Sequence, residues 1–74
     1  MDNIDARGKS CPLPIVLLAK AMKSLSVGQQ VVVLADDRAF PQDLEAWCRK
    51  TGNELLSIER LEQGYFEATV RRTA

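Results

Sequence analysis

Hydrophobic residues recur at helical spacing in two segments of the chain. Between Cys11 and Leu25 the apolar positions repeat every three or four residues, and lysine and serine occupy the other side. A second stripe runs from Pro41 to Thr51, with acidic and basic residues facing away from it. Its inward members are Leu44, Trp47, Cys48 and Thr51. The spacing therefore predicts two amphipathic helices, the second ended by Gly52.

The remaining segments have the patterns of strands. Asn3 to Ala6 alternates weakly and predicts a short first strand. Val31 to Ala35 is continuous, β-branched and uncharged, which is typical of a central strand that is buried on both faces or covered by helices on one. Leu55 to Leu61 and Tyr65 to Arg71 alternate around a Gly-containing turn and predict a hairpin. Its expected inner face carries Leu56, Ile58, Phe66, Ala68 and Val70.

The order of these elements sets the expected fold class. Each strand-helix-strand crossover is right-handed, so both helices fall on the same face of the sheet. We therefore expect an α/β (α+β) two-layer sandwich of βαβαββ order, with a mixed four-stranded sheet and two helices on one face. With 74 residues the chain has room for one hydrophobic core, and we expect residues 1–74 to form a single domain.

Charge and hydropathy restrict the classes of partner. Ten basic residues balance ten acidic ones, so no net field draws the chain to phosphate backbones or anionic lipid. We expect no direct contact with nucleic acid. The longest apolar runs, Leu13 to Ala19 and Val31 to Ala35, are too short to span a bilayer, and the N-terminus lacks the pattern of a signal peptide. The expected location is the cytoplasm, away from membranes.

Two cysteines and no histidine limit the chemistry. Without histidine or a Cys-x-x-Cys pair, neither a zinc site of usual composition nor a cysteine-histidine catalytic pair can be assembled from this chain alone. We expect no metal and no cofactor, and both cysteines to be thiols in a reducing compartment. Cys48, beside Trp47 on the inward stripe of the second helix, is expected to lie in the core.

Cys11 lies where the first helix is predicted to begin. Pro12 suits the first helical position, and Pro14 is tolerated in the same turn. The backbone N–H groups left there belong to Leu13 and Ile15, and they and the positive end of the helix dipole would favour a thiolate. The sequence thus predicts a stiffly held nucleophile. The plainer alternative is one more small buried apolar residue.

Charged residues near Cys11 in the sequence support the same prediction. Arg7 and Lys9 precede it, and no acidic residue lies closer along the chain than Asp5. Asp36 and Asp37 end the central strand, where they are expected to cap the second helix. The alternatives for this acidic pair are a metal site, acid-base chemistry or a recognition surface.

Residues 5–14, DARGKSCPLP, resemble the Cys-Pro-x-Pro signature of TusA/SirA-type sulfur carriers. The VGQQVVVLADD strand, the DLEAWCRKTGNEL helix and the closing hairpin resemble that family in order and spacing. The resemblance implies that Cys11 accepts sulfane sulfur as a persulfide from a cysteine desulfurase or another sulfurtransferase and passes it to a downstream acceptor protein. Pro12 and Pro14 match the family's prolines, and Asp36 and Asp37 match a common acidic pair.

The resemblance also implies where partners would bind. The residues expected to form the docking surface are Arg7, Lys9, Ser10, Leu13, Asp36 and Asp37. Exposed apolar side chains such as Leu13, Leu17 or Phe40 would mark such a surface. Such a carrier holds its sulfur covalently, turns over only between proteins and is expected to be a monomer. The pathway it serves, whether tRNA thiolation, molybdenum cofactor synthesis or sulfur oxidation, stays open.

Two other functions stay open at this point. The first is a non-catalytic interaction module, regulatory or RNA-associated, although the basic residues form no stripe along one face. The second is a thiol redox protein in which Cys48 resolves a sulfur species formed on Cys11.

Overall fold

Four strands and two helices follow one another in the order that the hydrophobic pattern predicts. The computed structural model describes residues 2–73. The strands are β1 (Asp2–Asp5), β2 (Gln30–Ala35), β3 (Glu54–Arg60) and β4 (Phe66–Arg71), and the helices are α1 (Leu13–Met22) and α2 (Phe40–Thr51). The βαβαββ order is therefore confirmed.

The strands form one mixed sheet in the order β1-β2-β4-β3. β1 pairs with β2 in parallel, and β4 lies antiparallel between β2 and β3. β1, β2 and β3 consequently run in the same direction, and their last residues lie at one end of the sheet. We call this the carboxyl end. Because α1 follows β1 and α2 follows β2, both helices begin there.

One apolar face of the sheet and the two helices enclose the core. β2 alternates, with Val31, Val33 and Ala35 buried and the residues between them only partly so. The buried valines join Leu18 of α1 and Leu44 of α2 in a single cluster. The central strand is thus covered by helices on one face, and the expected two-layer sandwich is confirmed.

The helix boundaries differ slightly from the predicted ones. α1 ends at Met22, and the chain continues through turns to Leu25, which stays buried. Pro12 is the residue before the helix rather than its first residue, and Pro14 takes the second helical position. α2 begins one residue earlier than predicted and ends, as predicted, at Gly52, whose φ of 85° is left-handed.

The predicted inner face of the hairpin is wrong at Leu56. Leu55 pairs with Val70 but Ser57 pairs with Thr69, so Leu56 is an extra residue in a β-bulge. The bulge resets the alternation, because one added residue reverses the faces of all that follow. Leu55 therefore packs against the core, while Leu56 is 38% exposed. The other predicted inner residues, including Ile58, do contact the core.

Within the described residues, neither helix is long and apolar enough to cross a membrane.

Replacing Leu44 with alanine should lower the free energy of unfolding by about 2–5 kcal/mol, because it opens a cavity in the core. The matched variant Leu56→Ala should cost less than about 1 kcal/mol, since this side chain is already partly in water. Urea unfolding followed by circular dichroism measures both. Equal losses would contradict the placement of Leu56 in the bulge.

Candidate functional site

Cys11 lies in the loop between β1 and α1, at the carboxyl end of the sheet. Its thiol is free and exposed to solvent. The peptide bond to Pro12 is cis, and Pro12 is itself exposed. Pro14, two residues further on, is buried and anchors the first turn of α1 in the core. The sequence prediction of an accessible thiol beside the helix start is confirmed by this placement.

The backbone N–H groups predicted to surround the sulfur are used elsewhere. Leu13 N–H donates to the Ser10 carbonyl at 2.9 Å, and the N–H groups of Ile15 and Val16 both donate to the Pro12 carbonyl at 3.1 Å. The loop turns tightly into the helix, so its own carbonyls satisfy the first donors. The prediction that the Leu13 and Ile15 amides favour a thiolate is therefore wrong.

The hydrogen-bond partner of the sulfur is a carboxylate of α2. Cys11 Sγ donates a hydrogen bond to Asp43 Oδ2, at a distance of 2.7 Å. Asp43 belongs to the first turn of α2. Sequence reasoning missed it because it lies 32 positions away along the chain, on the side of the predicted helix assigned to water. One signal was available in the predicted fold, because helices that follow two parallel strands begin at the same end of the sheet and right-handed crossovers place them on the same face.

This contact reverses the predicted protonation state. The hydrogen bond to Asp43 raises the pKa of the Cys11 thiol above its usual value, and desolvation and the nearby charges of Asp43 and Asp37 add to the effect. The sequence predicted a thiolate because no acidic residue lies close along the chain. In the fold, Asp43 and Asp37 come from distant segments of the chain, and both favour the thiol form of Cys11 over the thiolate.

Arg7, one of the two expected cations, pairs with a carboxylate rather than with the sulfur. Its guanidinium donates to Asp5 through Nε and Nη2, each at 2.9 Å, and its Cζ lies 4.8 Å from the centre of the Tyr65 ring. The paired hydrogen bonds lower the pKa of Asp5 from 3.8 to about 2. Arg7 thus stays at the surface but compensates Asp5 rather than Cys11.

Asp36 and Asp37, the two aspartates after β2, accept hydrogen bonds from different segments of the chain. Asp36 accepts the Gly8 N–H with both carboxylate oxygens, at 3.0 and 2.9 Å, and so ties the Cys11 loop to the end of β2. Asp37 accepts the N–H of Ala39, the residue that precedes α2, at 3.2 Å. No side chain caps α2, so the prediction that the aspartates cap this helix is wrong. Asp36 is therefore an anchor of the loop, a role that sequence reasoning did not assign.

Asp37 also lies beside the thiol. One ligand-type atom from each of Cys11, Asp37 and Asp43 falls within 4.8 Å of the other two. Exposed acidic groups often cluster in this way without binding an ion. We interpret the three groups as the electrostatic environment of the sulfur, and we assign no metal to them.

The surface around Cys11 combines polar and apolar side chains. Lys9 and Ser10 are exposed, and Leu13 and Val16 of α1 are 46% and 52% exposed. Leu17 and Phe40 were also expected to be exposed on this surface, and this prediction is wrong. Phe40 is buried, and Leu17 packs against the core. Val16 is an exposed apolar residue that sequence reasoning did not single out.

Cys48 has the core position that its sequence context predicts. It is 5% exposed on the inward side of α2, and desolvation raises the pKa of its thiol. It borders a shallow groove whose other lining residues are Glu45, Arg49, Asn53 and Leu55. Both cysteines are free thiols. Cys48 lies five residues beyond Asp43, about 7.5 Å along the helix axis, and neither Asp43 nor Cys11 is among the residues that line the groove.

The site is thus that of a small α/β protein that presents one exposed cysteine at the end of its sheet. The family described as "Sulfurtransferase TusA" matches residues 2–72, and the chain belongs to this family. A putative sulfur carrier protein of Archaeoglobus fulgidus is 35% identical over 69 residues, 93% of each chain. The sulfur carrier protein TusA of Allochromatium vinosum is 36% identical over 71 residues, 96% of this chain and 92% of that protein.

A solved structure shows the same fold. The SirA-like protein of Desulfitobacterium hafniense superposes with a TM-score of 0.86 over all of both chains, at 28% identity. Some relatives are longer: the chain spans 30% of one putative sulfur carrier protein and 36% of another. The membership in a family of sulfur carriers, expected from the sequence, is confirmed.

The Asp5 carboxyl should titrate near pH 2 in the folded protein, against a usual value of 3.8. The pKa is lowered on folding, so the contribution of the Asp5–Arg7 pair to stability is complete above about pH 4 and disappears as the pH falls through 2. NMR titration of the side-chain carboxyl carbon measures it. In Arg7→Gln the midpoint should return towards 3.8, and an unchanged midpoint would contradict the pairing.

Brief treatment of the folded protein with N-ethylmaleimide should add one label, on Cys11, because Cys48 is buried. Intact mass spectrometry should show a single adduct for native protein and for Cys48→Ser, and none for Cys11→Ser. Unfolding in guanidinium should expose both thiols of the native sequence. Two adducts in the folded protein, or a disulfide that blocks labelling after mild oxidation, would instead support a redox pair.

Proposed function

We propose that this protein is a sulfur carrier that accepts sulfane sulfur as a persulfide on Cys11 and passes it to a partner protein. The observation that carries the proposal is the position of the thiol. Of the two cysteines, Cys11 alone is exposed, and it lies on a polar loop at the carboxyl end of the sheet. Relatives along nearly the full chain are named sulfur carrier proteins, which supports the role.

The chemistry needs only one thiol and the persulfide of a donor. The Cys11 sulfur attacks the outer sulfur of the donor, R–S–SH, and a new sulfur-sulfur bond forms as the old one breaks. The electron pair of the broken bond goes to the donor sulfur, which leaves as R–SH with the proton lost by Cys11. Cys11 becomes the persulfide Cys11–S–SH, and no external oxidant or reductant is consumed. The acceptor repeats the exchange in the opposite sense.

Access to Cys11 decides which proteins can exchange sulfur with it. Donor and acceptor would contact the exposed residues beside the thiol, Lys9, Ser10 and Leu13, and the rim formed by Arg7, Asp36 and Asp37. Leu13 and Val16 add an apolar patch next to the nucleophile, suited to the core of a small transient interface. Pro12 and Pro14 restrict the backbone at the start of α1 and so limit the positions that the sulfur can take.

The donor is, in this proposal, a cysteine desulfurase or another sulfurtransferase. The acceptor serves tRNA thiolation, molybdenum cofactor synthesis or sulfur oxidation. We further propose that residues 1–74 act as one monomeric carrier domain in the cytoplasm, with the persulfide as its sole cargo and with no cofactor. Support for a single unit comes from the core, to which both helices and strands β2 and β4 contribute buried residues.

Incubation with a cysteine desulfurase and cysteine should add one sulfur atom, about 32 Da, to the native chain. The adduct should form on Cys48→Ser and be removed by dithiothreitol, and Cys11→Ser should gain nothing. Intact mass spectrometry under non-reducing conditions measures each mass. Loading of Cys11→Ser to the native extent, or failure of the native chain to load from several donors, would contradict the proposal.

A further inference from the structure

The thiol proposed to carry sulfur is covered by a carboxylate in the free protein. Asp43 Oδ2 accepts the Cys11 S–H at 2.7 Å, and this contact joins two segments that the sheet topology brings together. A nucleophile is more reactive as the thiolate, and a carboxylate on the thiol opposes that form. The resting arrangement therefore favours storage of the thiol rather than attack.

The charges that act on the sulfur come from several elements, and within the described residues they are negative. Asp43 contributes from α2, and Asp37 contributes from the loop between β2 and α2. Two cations lie in the same loop as Cys11. Arg7 forms an ion pair with Asp5 and packs on the Tyr65 ring, while Lys9 is exposed and forms no ion pair with a described residue.

The first turn of α1 and the end of β2 add nothing to the charges that act on the sulfur. The first turn of α1 holds no acidic residue, and its side chains are apolar. Asp36, at the end of β2, accepts the Gly8 N–H with both oxygens, and its charge acts on Arg7 rather than on the sulfur. The equilibrium between the thiol and the thiolate of Cys11 therefore depends on Asp43 and Asp37. Both aspartates are only partly buried, so a partner protein can reach them.

We propose that Asp43 is a positioning residue that holds Cys11 as a hydrogen-bonded thiol, and that a cationic group of the docked sulfur donor pairs with Asp43 and Asp37 and so releases the sulfur for attack. The proposal rests on the carrier function proposed above. The contact on the donor would be a lysine or arginine that lies within a few ångströms of the donor's persulfide.

Electrostatics supports such a coupling. An opposite charge within about 4–6 Å of a carboxylate offsets the effect of that carboxylate on neighbouring groups. Docking also removes water, which strengthens each remaining interaction between charges. In the free protein Asp43 raises the pKa of Cys11, so pairing Asp43 with a cation lowers it again. The reactive form would then be populated mainly when a donor is bound.

The proton is exchanged with solvent in this step. Once the donor's cation pairs with Asp43 and Asp37, the Cys11 thiol gives its proton to water and the thiolate attacks the outer sulfur of the donor. The donor sulfur leaves with the electron pair of the broken sulfur-sulfur bond and takes a proton from water, so that R–SH is formed. Atoms and charge balance as in the overall exchange, and no further reactant is required.

The first test measures the free carrier without any donor. Alkylation of Cys11 by iodoacetamide is followed from pH 6 to 10 in the Cys48→Ser background, with a chelator present so that no adventitious metal contributes. Asp43→Asn keeps the shape and a hydrogen-bond acceptor but removes the charge. We expect its alkylation near pH 7 to be roughly 3- to 10-fold faster and its pH profile to shift to lower pH.

Two variants make this test specific. Asp37→Asn should shift the profile in the same direction but less, because Asp37 acts through charge alone. Glu45→Gln removes a carboxylate from the same helix, on the groove beside Cys48, and should leave the profile unchanged. Thermal unfolding checks that each variant is folded. Superimposable profiles for native protein and Asp43→Asn would overturn the positioning role.

The second test adds a cysteine desulfurase as the donor. Because the proposed cation would lose its partner, Asp43→Asn should raise the KM for the carrier at least about 3-fold, and the increase should shrink at high salt. Glu45→Gln should not change the KM. An unchanged KM with normal loading would overturn the donor-cation contact while leaving the carrier function intact. Failure of Cys48→Ser to load would instead overturn the carrier function, and the alkylation profiles would still decide the role of Asp43.

Discussion

The single apolar face of the sheet is the constraint on which the rest of the structure depends. Val31, Val33 and their neighbours on β4 can be buried only if both helices cover the same face. Right-handed crossovers place both helices on this face. Because α1 follows β1 and α2 follows the parallel strand β2, both helices begin at the carboxyl end. Cys11 precedes one of these helices and Asp43 lies in the first turn of the other. The contact between them is a consequence of how the core is closed.

The same end of the sheet carries the groups that hold the thiol in place. Asp36 ties Gly8 to the end of β2, and the buried Pro14 fixes the start of α1. Cys11 is thereby presented on a loop anchored on both sides, although its own side chain remains exposed. A carrier that must fit different partners benefits from this combination, because ordering the loop costs little free energy at each encounter.

A helix start is often taken to activate a cysteine, but the local hydrogen bonds decide whether it does. Here the Leu13 amide is satisfied by Ser10, and the nearest partner of the sulfur is a carboxylate. A charged hydrogen-bond partner outweighs the partial charge of a short helix, whose effect falls off within the first turn. The thiol of the free protein is thus stabilised rather than activated, and Cys48, in the core, plays no part in this balance.

The sequence by itself determined the elements, their order, the sandwich and the identity of the exposed thiol, because periodicity, prolines and turn residues act over a few neighbouring positions. The core position of Cys48 followed from the same kind of signal. Only the tertiary structure decided that Leu56 leaves the core, since a bulge depends on pairing with β4. It also decided the protonation state of Cys11, because charge acts through space and Asp43 is a neighbour only after the two crossovers are complete.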